Sequence, residues 1–287
     1  MQSNNSFTKI FFLLLTISVG FVSCKSTNTN VSENNTIQEE LVELDETVEN
    51  EIQPIGEPML LTQLTPEEEK AIKLQSLSRD QKVFYEIAHT YDYLEVGEDL
   101  DYKVYVKHDE KEVIILYEET DSELDWHNNY LVFPWPLNLE GHVVWTTYGY
   151  AKIYKSANNV PINEFCALVE QYPDYKVVIR GWSLGSAMAK ITARHYLYRS
   201  PKGTKIDELT TFGDVKCWLN PFYSIKKHCV RIREYANRND LITWCIPLYR
   251  RDVTCRVGKR FTLKRAKNSE YYHTHYDECD LSKWDSD

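Results

Sequence analysis

Gly181-Trp182-Ser183-Leu184-Gly185 lies between an apolar run, Lys176-Val177-Val178-Ile179, and a segment rich in helix formers, Ala187 to Tyr198 (AMAKITARHYLY). The run predicts a short buried strand and the segment a long helix. G-x-S-x-G between strand and helix is the pattern of a nucleophile elbow. The turn is so tight that the residues flanking the serine must be nearly side-chain-free. The serine Oγ then stands above the sheet beside the helix N-terminus, whose N–H groups can stabilise an oxyanion.

A serine is a weak nucleophile at neutral pH and needs a base within hydrogen-bond reach, itself oriented by a carboxylate. On sheets that carry such an elbow the chain order is Ser, then Asp or Glu, then His. Val230 to Tyr235 (VRIREY) reads as a strand, and Asn237-Arg238-Asn239-Asp240 puts Asp240 at its carboxyl end. Downstream lie two histidines, His273 and His275, in Tyr271-Tyr272-His273-Thr274-His275-Tyr276. The residues alone leave open which of the pair is the base.

The remaining patterns supply a frame. Thr65-Pro66-Glu67-Glu68-Glu69 is a helix start, with a capping hydroxyl, a first-turn proline and acids at the positive end of the dipole. A second helical pattern runs from Asp80 to about Tyr93, and a third from Pro161 to Tyr172. Tyr102–Val106, Glu112–Tyr117 (EVIILY), Val143–Thr147 and Asp207–Phe212 read as strands, and Asp121 to Leu137 as an irregular aromatic stretch. Strands alternating with helices predict a mostly parallel central sheet with helices on both faces.

Several of these segments together resemble the class 3 (fungal-type) lipases of the α/β-hydrolase fold. The elbow matches their G-H-S-L-G, with Trp182 where histidine is usual and Ser186 where glycine usually follows. Thr211-Phe212-Gly213 matches their T-F-G, and Asn237 to Pro247 (NRNDLITWCIP) their N-x-x-D-x-V-x-x-L-P. His273-Thr274-His275-Tyr276 fits H-x-x-Y, and Tyr148-Gly149-Tyr150 resembles H-x-G-F. Tyr117 to Trp126 aligns with F-R-G-T-x-S-x-x-D-W, with Glu118-Glu119 in place of Arg-Gly. The resemblance spans about Asp80 to Tyr276. It implies Ser183 as nucleophile, Asp240 as triad acid, His273 rather than His275 as base, and the amides of Leu184 and Thr120 as the oxyanion hole. It also implies a lid over Ser122–Phe133, with Trp126, Tyr130, Phe133 and Trp135 facing lipid or filling core. The substrate implied is a lipid ester, an acylglycerol or a phospholipid, and no cofactor is needed. The Glu pair motivates one rival, an inactive lipase-like surface-binding lipoprotein; an esterase for small soluble esters is another.

The ends of the chain speak to location. Lys9 followed by Ile10 to Val22 (IFFLLLTISVGFV) has the form of a signal peptide, too short to span a bilayer comfortably. Ser23-Cys24 at its end resembles the lipobox of bacterial lipoproteins, which implies cleavage before Cys24 and acylation, with palmitate among the acyl groups. The expected organisation is a signal peptide over 1–23, an acylated Cys24 with a disordered acidic tether over 24–65, and an α/β-hydrolase domain over 66–287. The protein would then sit lipid-anchored in a bacterial cell envelope, at the outer membrane or cell surface.

Nine acids and one lysine between Lys25 and Glu57 supply most of the formal net charge of −10. The low overall charge therefore says little about the domain's partners, and nothing points to nucleic acid. Within the domain, Lys202 to Lys267 carries sixteen Lys/Arg against six Asp/Glu, a basic face or a merely solvated one. Six cysteines besides Cys24 permit disulfides, and no Cys or His cluster has metal-ligand spacing.

Overall fold

Glu112–Tyr117 (EVIILY) and Lys176–Trp182 (KVVIRGW) lack the alternation of a half-exposed strand, as a strand covered on both faces requires. In the computed structural model they are neighbouring strands, β3 and β6, paired in parallel from Glu112↔Lys176 to Tyr117↔Gly181. The structure describes residues 65–98, 100–119, 131–219, 224–244, 246, 248–259 and 261–284. All lie within one compact unit, Thr62–Asp287. Residues 1–64, which hold the leader, Cys24 and all but the last residue of the tether, lie outside the described residues, as do Thr120 and residues 122–130 of the expected lid.

The sheet grows outward from β3 and β6 in the order β1-β2-β3-β6-β7-β8-β9. On one side stand β1 (Leu94–Val96) and β2 (Leu100–Lys107), both antiparallel to their neighbours. On the other, β7 (Ile206–Phe212), β8 (Cys229–Asn237) and β9 (Cys255–Val257) continue the parallel set. Among the described helices, α1 spans Pro66–Ser76 and α2 Arg79–Ala88, ahead of the sheet. Tyr148–Ser156 (α3), Val160–Gln171 (α4) and Leu184–Arg199 (α5) follow. Two short helices, α6 (Leu263–Ala266) and α7 (Ser269–Thr274), close the chain.

Alternate residues of each strand point to opposite faces, and each face has its own core. Val113, Ile115 and Tyr117 of β3 join Val177 and Ile179 of β6 against Tyr150, Phe165, Met188 and Ile191 of α3, α4 and α5. Ile114, Leu116 and Val178 face the other way, against Val83, Phe84 and Ile87 of α2. This is the α/β-hydrolase fold, a mostly parallel central sheet with helices on both faces.

Two local expectations change. The helix expected from Asp80 to Tyr93 stops at Ala88, and the chain turns into β1 at Leu94. Within the stretch read as irregular, Pro134–Leu139 is a strand, β4, which pairs with β5 (His142–Thr147) in a separate hairpin. Pro134 and Pro136 disguised it, because proline lacks the ladder donor and is tolerated only at sheet edges. Directly after β5, Thr147 caps α3 by accepting from the Tyr150 N–H at 3.2 Å. Cys166, Cys217, Cys229, Cys255 and Cys279 are all free thiols.

Parallel register also assembles charge. Val178, Glu208 and Arg231 stand abreast on β6, β7 and β8, as do Arg180, Thr210 and Arg233. Under α2 these become a buried network. Arg180 pairs with Glu208 at 3.2 Å and with Glu86 at 2.9 Å. Arg231 bonds both oxygens of the fully buried Asp80 at 2.7 Å and reaches Glu208 at 3.3 Å. Tyr235 donates to the same Asp80 carboxylate.

Candidate active site

The elbow's geometry follows from its glycines. A Cβ at Gly181 would lie 2.2 Å from the Gly185 carbonyl oxygen, and one at Gly185 would lie 2.2 Å from that of Glu118. Both contacts are with backbone, so neither position accepts a side chain. Ser183 between them takes φ 55° and ψ −118°, a conformation that costs an L residue about 1–3 kcal/mol. The Ser183 N–H donates to Phe212 O on β7 at 2.9 Å, which ties the strained turn to the sheet. Ser186, where glycine is usual, accepts from the Val215 N–H at 3.1 Å and so fastens the loop after β7 to α5.

Ser183, His273 and Asp240 come together, all buried. His273 Nε2 lies 2.7 Å from Ser183 Oγ, and its Nδ1 lies 2.6 Å from Asp240 Oδ2. A carboxylate only accepts, so the proton sits on Nδ1 and leaves Nε2 to accept from the serine hydroxyl. Asp240 follows β8, where its Oδ1 accepts from the Ile242 N–H at 3.0 Å. The Leu241 N–H donates to Ser269 Oγ at 2.8 Å, so the acid's loop is bonded to the helix that carries the base. His275 is elsewhere, stacked on Tyr271 with ring centroids 4.1 Å apart.

Three features hold or tune the imidazole. Trp182 Nε1 donates to the His273 carbonyl at 3.1 Å. Gly213, at φ 52°, lies so close that a Cβ there would be 2.6 Å from His273 Cε1. Burial pushes the His273 pKa down, but Asp240 outweighs it, helped by Glu119 and Glu270, and the net shift is upward. Sequence reasoning did not assign these roles to Trp182 and Gly213. The departure at Trp182 and the T-F-G match were the signals available.

Leu184 is the first residue of α5, where an N–H has no intrahelical partner. Thr120, its expected companion, lies outside the described residues, whereas the half-buried Glu118 and Glu119 are described. The Glu118 backbone abuts Gly185, and Glu119 is near enough to act on His273. Of the aromatics expected to face lipid or fill core, Phe133 and Trp135 are exposed, by 64% and 42%.

The family model for Lipase (class 3) matches residues 114–249, a span that holds β3, the elbow, the T-F-G segment and Asp240. The match supports the class 3 lipase family. Solved structures of lipases are also similar to the chain. One is a fungal lipase–inhibitor complex, described as a model for interfacial activation, at 22% identity and TM-score 0.47. The similarity covers 55% of this chain and 59% of that one, so this chain spans less than two thirds of that lipase. A triacylglycerol lipase whose catalytic centre is a serine protease triad is 19% identical at TM-score 0.44, over 64% of this chain and 75% of that one. The triacylglyceride lipase of Rhizomucor miehei is 18% identical at TM-score 0.47, over 64% and 76%. No curated protein matches the sequence. The matched span ends before α7, so His273 is assigned to the site by the geometry given above.

Proposed function

We propose that this protein is a serine hydrolase of lipid esters, acylglycerols or phospholipids, held at a membrane of a bacterial cell envelope by acylated Cys24. The observation that carries the reading is the continuous relay from Ser183 Oγ through His273 to Asp240, at 2.7 and 2.6 Å. The match to the class 3 lipase model supports the ester-hydrolase class.

In this reading Ser183 Oγ attacks the ester carbonyl while His273 Nε2 takes its proton. Asp240 holds the imidazole's orientation and stabilises the imidazolium that forms. The tetrahedral oxyanion is held by the Leu184 N–H at the start of α5, together with Thr120. Each such donor is worth about 3 kcal/mol in the transition state. His273 then protonates the departing alcohol. Water, deprotonated by the same nitrogen, cleaves the acyl-enzyme and restores the serine. The completeness of the relay favours this reading over an inactive binding lipoprotein. Exposed Phe133 and Trp135, on the segment leading out of the expected lid, favour lipid over small soluble esters.

The test is hydrolysis of one ester series below and above its solubility limit, beside Ser183→Ala. Activity that jumps when substrate forms an interface, and is lost in the variant, is the expected result. Equal turnover of dispersed and aggregated substrate would favour the soluble-ester rival. No Ser183-dependent turnover of any ester would contradict the proposal.

A further inference from the structure

A cavity of about 520 Å³ opens beside the C-terminal end of α5. Its walls come from the turn after α5, the segment ahead of β8 and the start of β5. Ser183 stands at the other end of α5, whose 16 residues span about 24 Å. The triad lies at the carboxyl ends of the parallel strands, whereas this cavity lies at the amino-terminal edge of β7 and β8. It is therefore separate from the site described above.

The cavity's chemistry is one-sided. Arg194, Lys202, Lys227, His142 and His228 line it, and no carboxylate is among its described lining residues. Arg194 is buried, bonded to Asp252 at 3.3 Å and laid over the Trp218 ring at 3.9 Å, which fixes its guanidinium plane. Asp252 offsets that charge. Lys202 and Lys227 make no ion pair with any described carboxylate. The His142 ring stacks on Tyr198 at 4.2 Å and gives the cavity a flat aromatic wall. A concave surface lined by one sign of charge concentrates potential. It also gives a definite place to part of the basic excess between Lys202 and Lys267.

We propose that this cavity binds a phosphate monoester. Lysines and imidazoles converging from three segments suit a dianion with several acceptor oxygens better than a two-oxygen carboxylate. The aromatic wall and the neighbouring Leu197 and Ile225 would receive the organic part of the ligand. Such a group could come from a soluble phosphorylated metabolite or from a lipid headgroup.

Calorimetric titration of the full chain with glycerol 3-phosphate, and with phosphatidylcholine vesicles with or without phosphatidic acid, separates the two, every protein carrying Ser183→Ala so that ester hydrolysis adds no heat. Lys202→Glu/Lys227→Glu is the test variant, its folding checked by the thermal unfolding midpoint, with Lys202→Ala and Lys227→Ala as milder replacements. Salt-sensitive binding of glycerol 3-phosphate, weakened about tenfold or more in the variant, supports the proposal with a soluble ligand. The same loss seen only with phosphatidic acid vesicles supports it with a headgroup. Binding at the catalytic face or through the lipid anchor would be untouched by these substitutions. No binding of either probe, or binding equal in the Ser183→Ala parent and all three variants, would overturn it.

Discussion

His273 must be neutral to accept the serine proton, yet its carboxylate neighbours favour the charged form. Burial opposes that charge, but Asp240 prevails, with Glu119 and Glu270 adding to it, so the His273 pKa lies above its ordinary value of 6.5. The sign follows directly: hydrolysis should be low at acid pH and rise as pH passes through a value above 6.5. Glu119→Gln removes one of the groups that hold the proton, so the rise should move to lower pH. A pH–rate profile of kcat/KM for both proteins checks this, and an unmoved acid limb would contradict it. At this scale the sequence was most legible where chemistry is local. Five consecutive residues specify the elbow, because a Cβ at Gly181 or Gly185 would lie 2.2 Å from a backbone oxygen. Asp240 and His273 could be ordered along the chain, but His273 was separated from His275 only by resemblance. Their separation in space depends on how α7 docks, on the Asp240 loop through Ser269 and on the end of β6 through Trp182, which no local pattern encodes.

Among the elements, the loop after β7 does the most to fix the site. Gly213 packs on the imidazole, and the next residue, Asp214, is fully buried between two cations. Its Oδ1 lies 2.8 Å from Lys190 Nζ of α5, and its Oδ2 lies 2.6 Å from Arg251 Nε. Arg251 also donates to the backbone carbonyls of Asp214 and Thr243, which brackets the Asp240 loop. Asp214→Ala would leave Arg251 with backbone acceptors alone and Lys190 with only the charge of Glu234 nearby. It should destabilise the fold by about 3–5 kcal/mol. Urea unfolding measures the loss, and a cost under about 1 kcal/mol would contradict the account. Strands with long apolar runs were legible, since EVIILY and KVVI allow no solvent face. β4 was not, because its prolines mimic a loop and its pairing with β5 is a tertiary fact. α3 was missed for a related reason: it begins directly at the end of β5, with no turn residues to announce it.

Across the whole molecule, the network under α2 ties that helix to three central strands and gives the fold an acid limit. Burial pushes Glu208 up, but Arg180, Arg79 and Arg231 outweigh it and hold the carboxyl below its ordinary value of 4.5. Glu86 is lowered in the same way by Arg180 and Lys107, against burial. Groups depressed in the folded state contribute stability above their unfolded pKa and lose it as pH falls through the folded one. Stability should therefore hold from neutral pH down to about 4.5 and then decline. Urea midpoints measured across that range check this, and a midpoint unchanged down to about pH 3 would contradict it. The architecture as a whole was legible from the alternation of strands and helices. The buried charge was not, because Arg180, Glu208 and Arg231 meet only in the parallel register. The central claim, that Ser183 is activated by His273, is tested most directly by covalent labelling of the full chain with a fluorophosphonate probe in detergent. Labelling of the wild type, absent in Ser183→Ala and largely lost in His273→Ala, is the predicted result. A folded wild type that takes no label, or labelling that survives in Ser183→Ala, would contradict it.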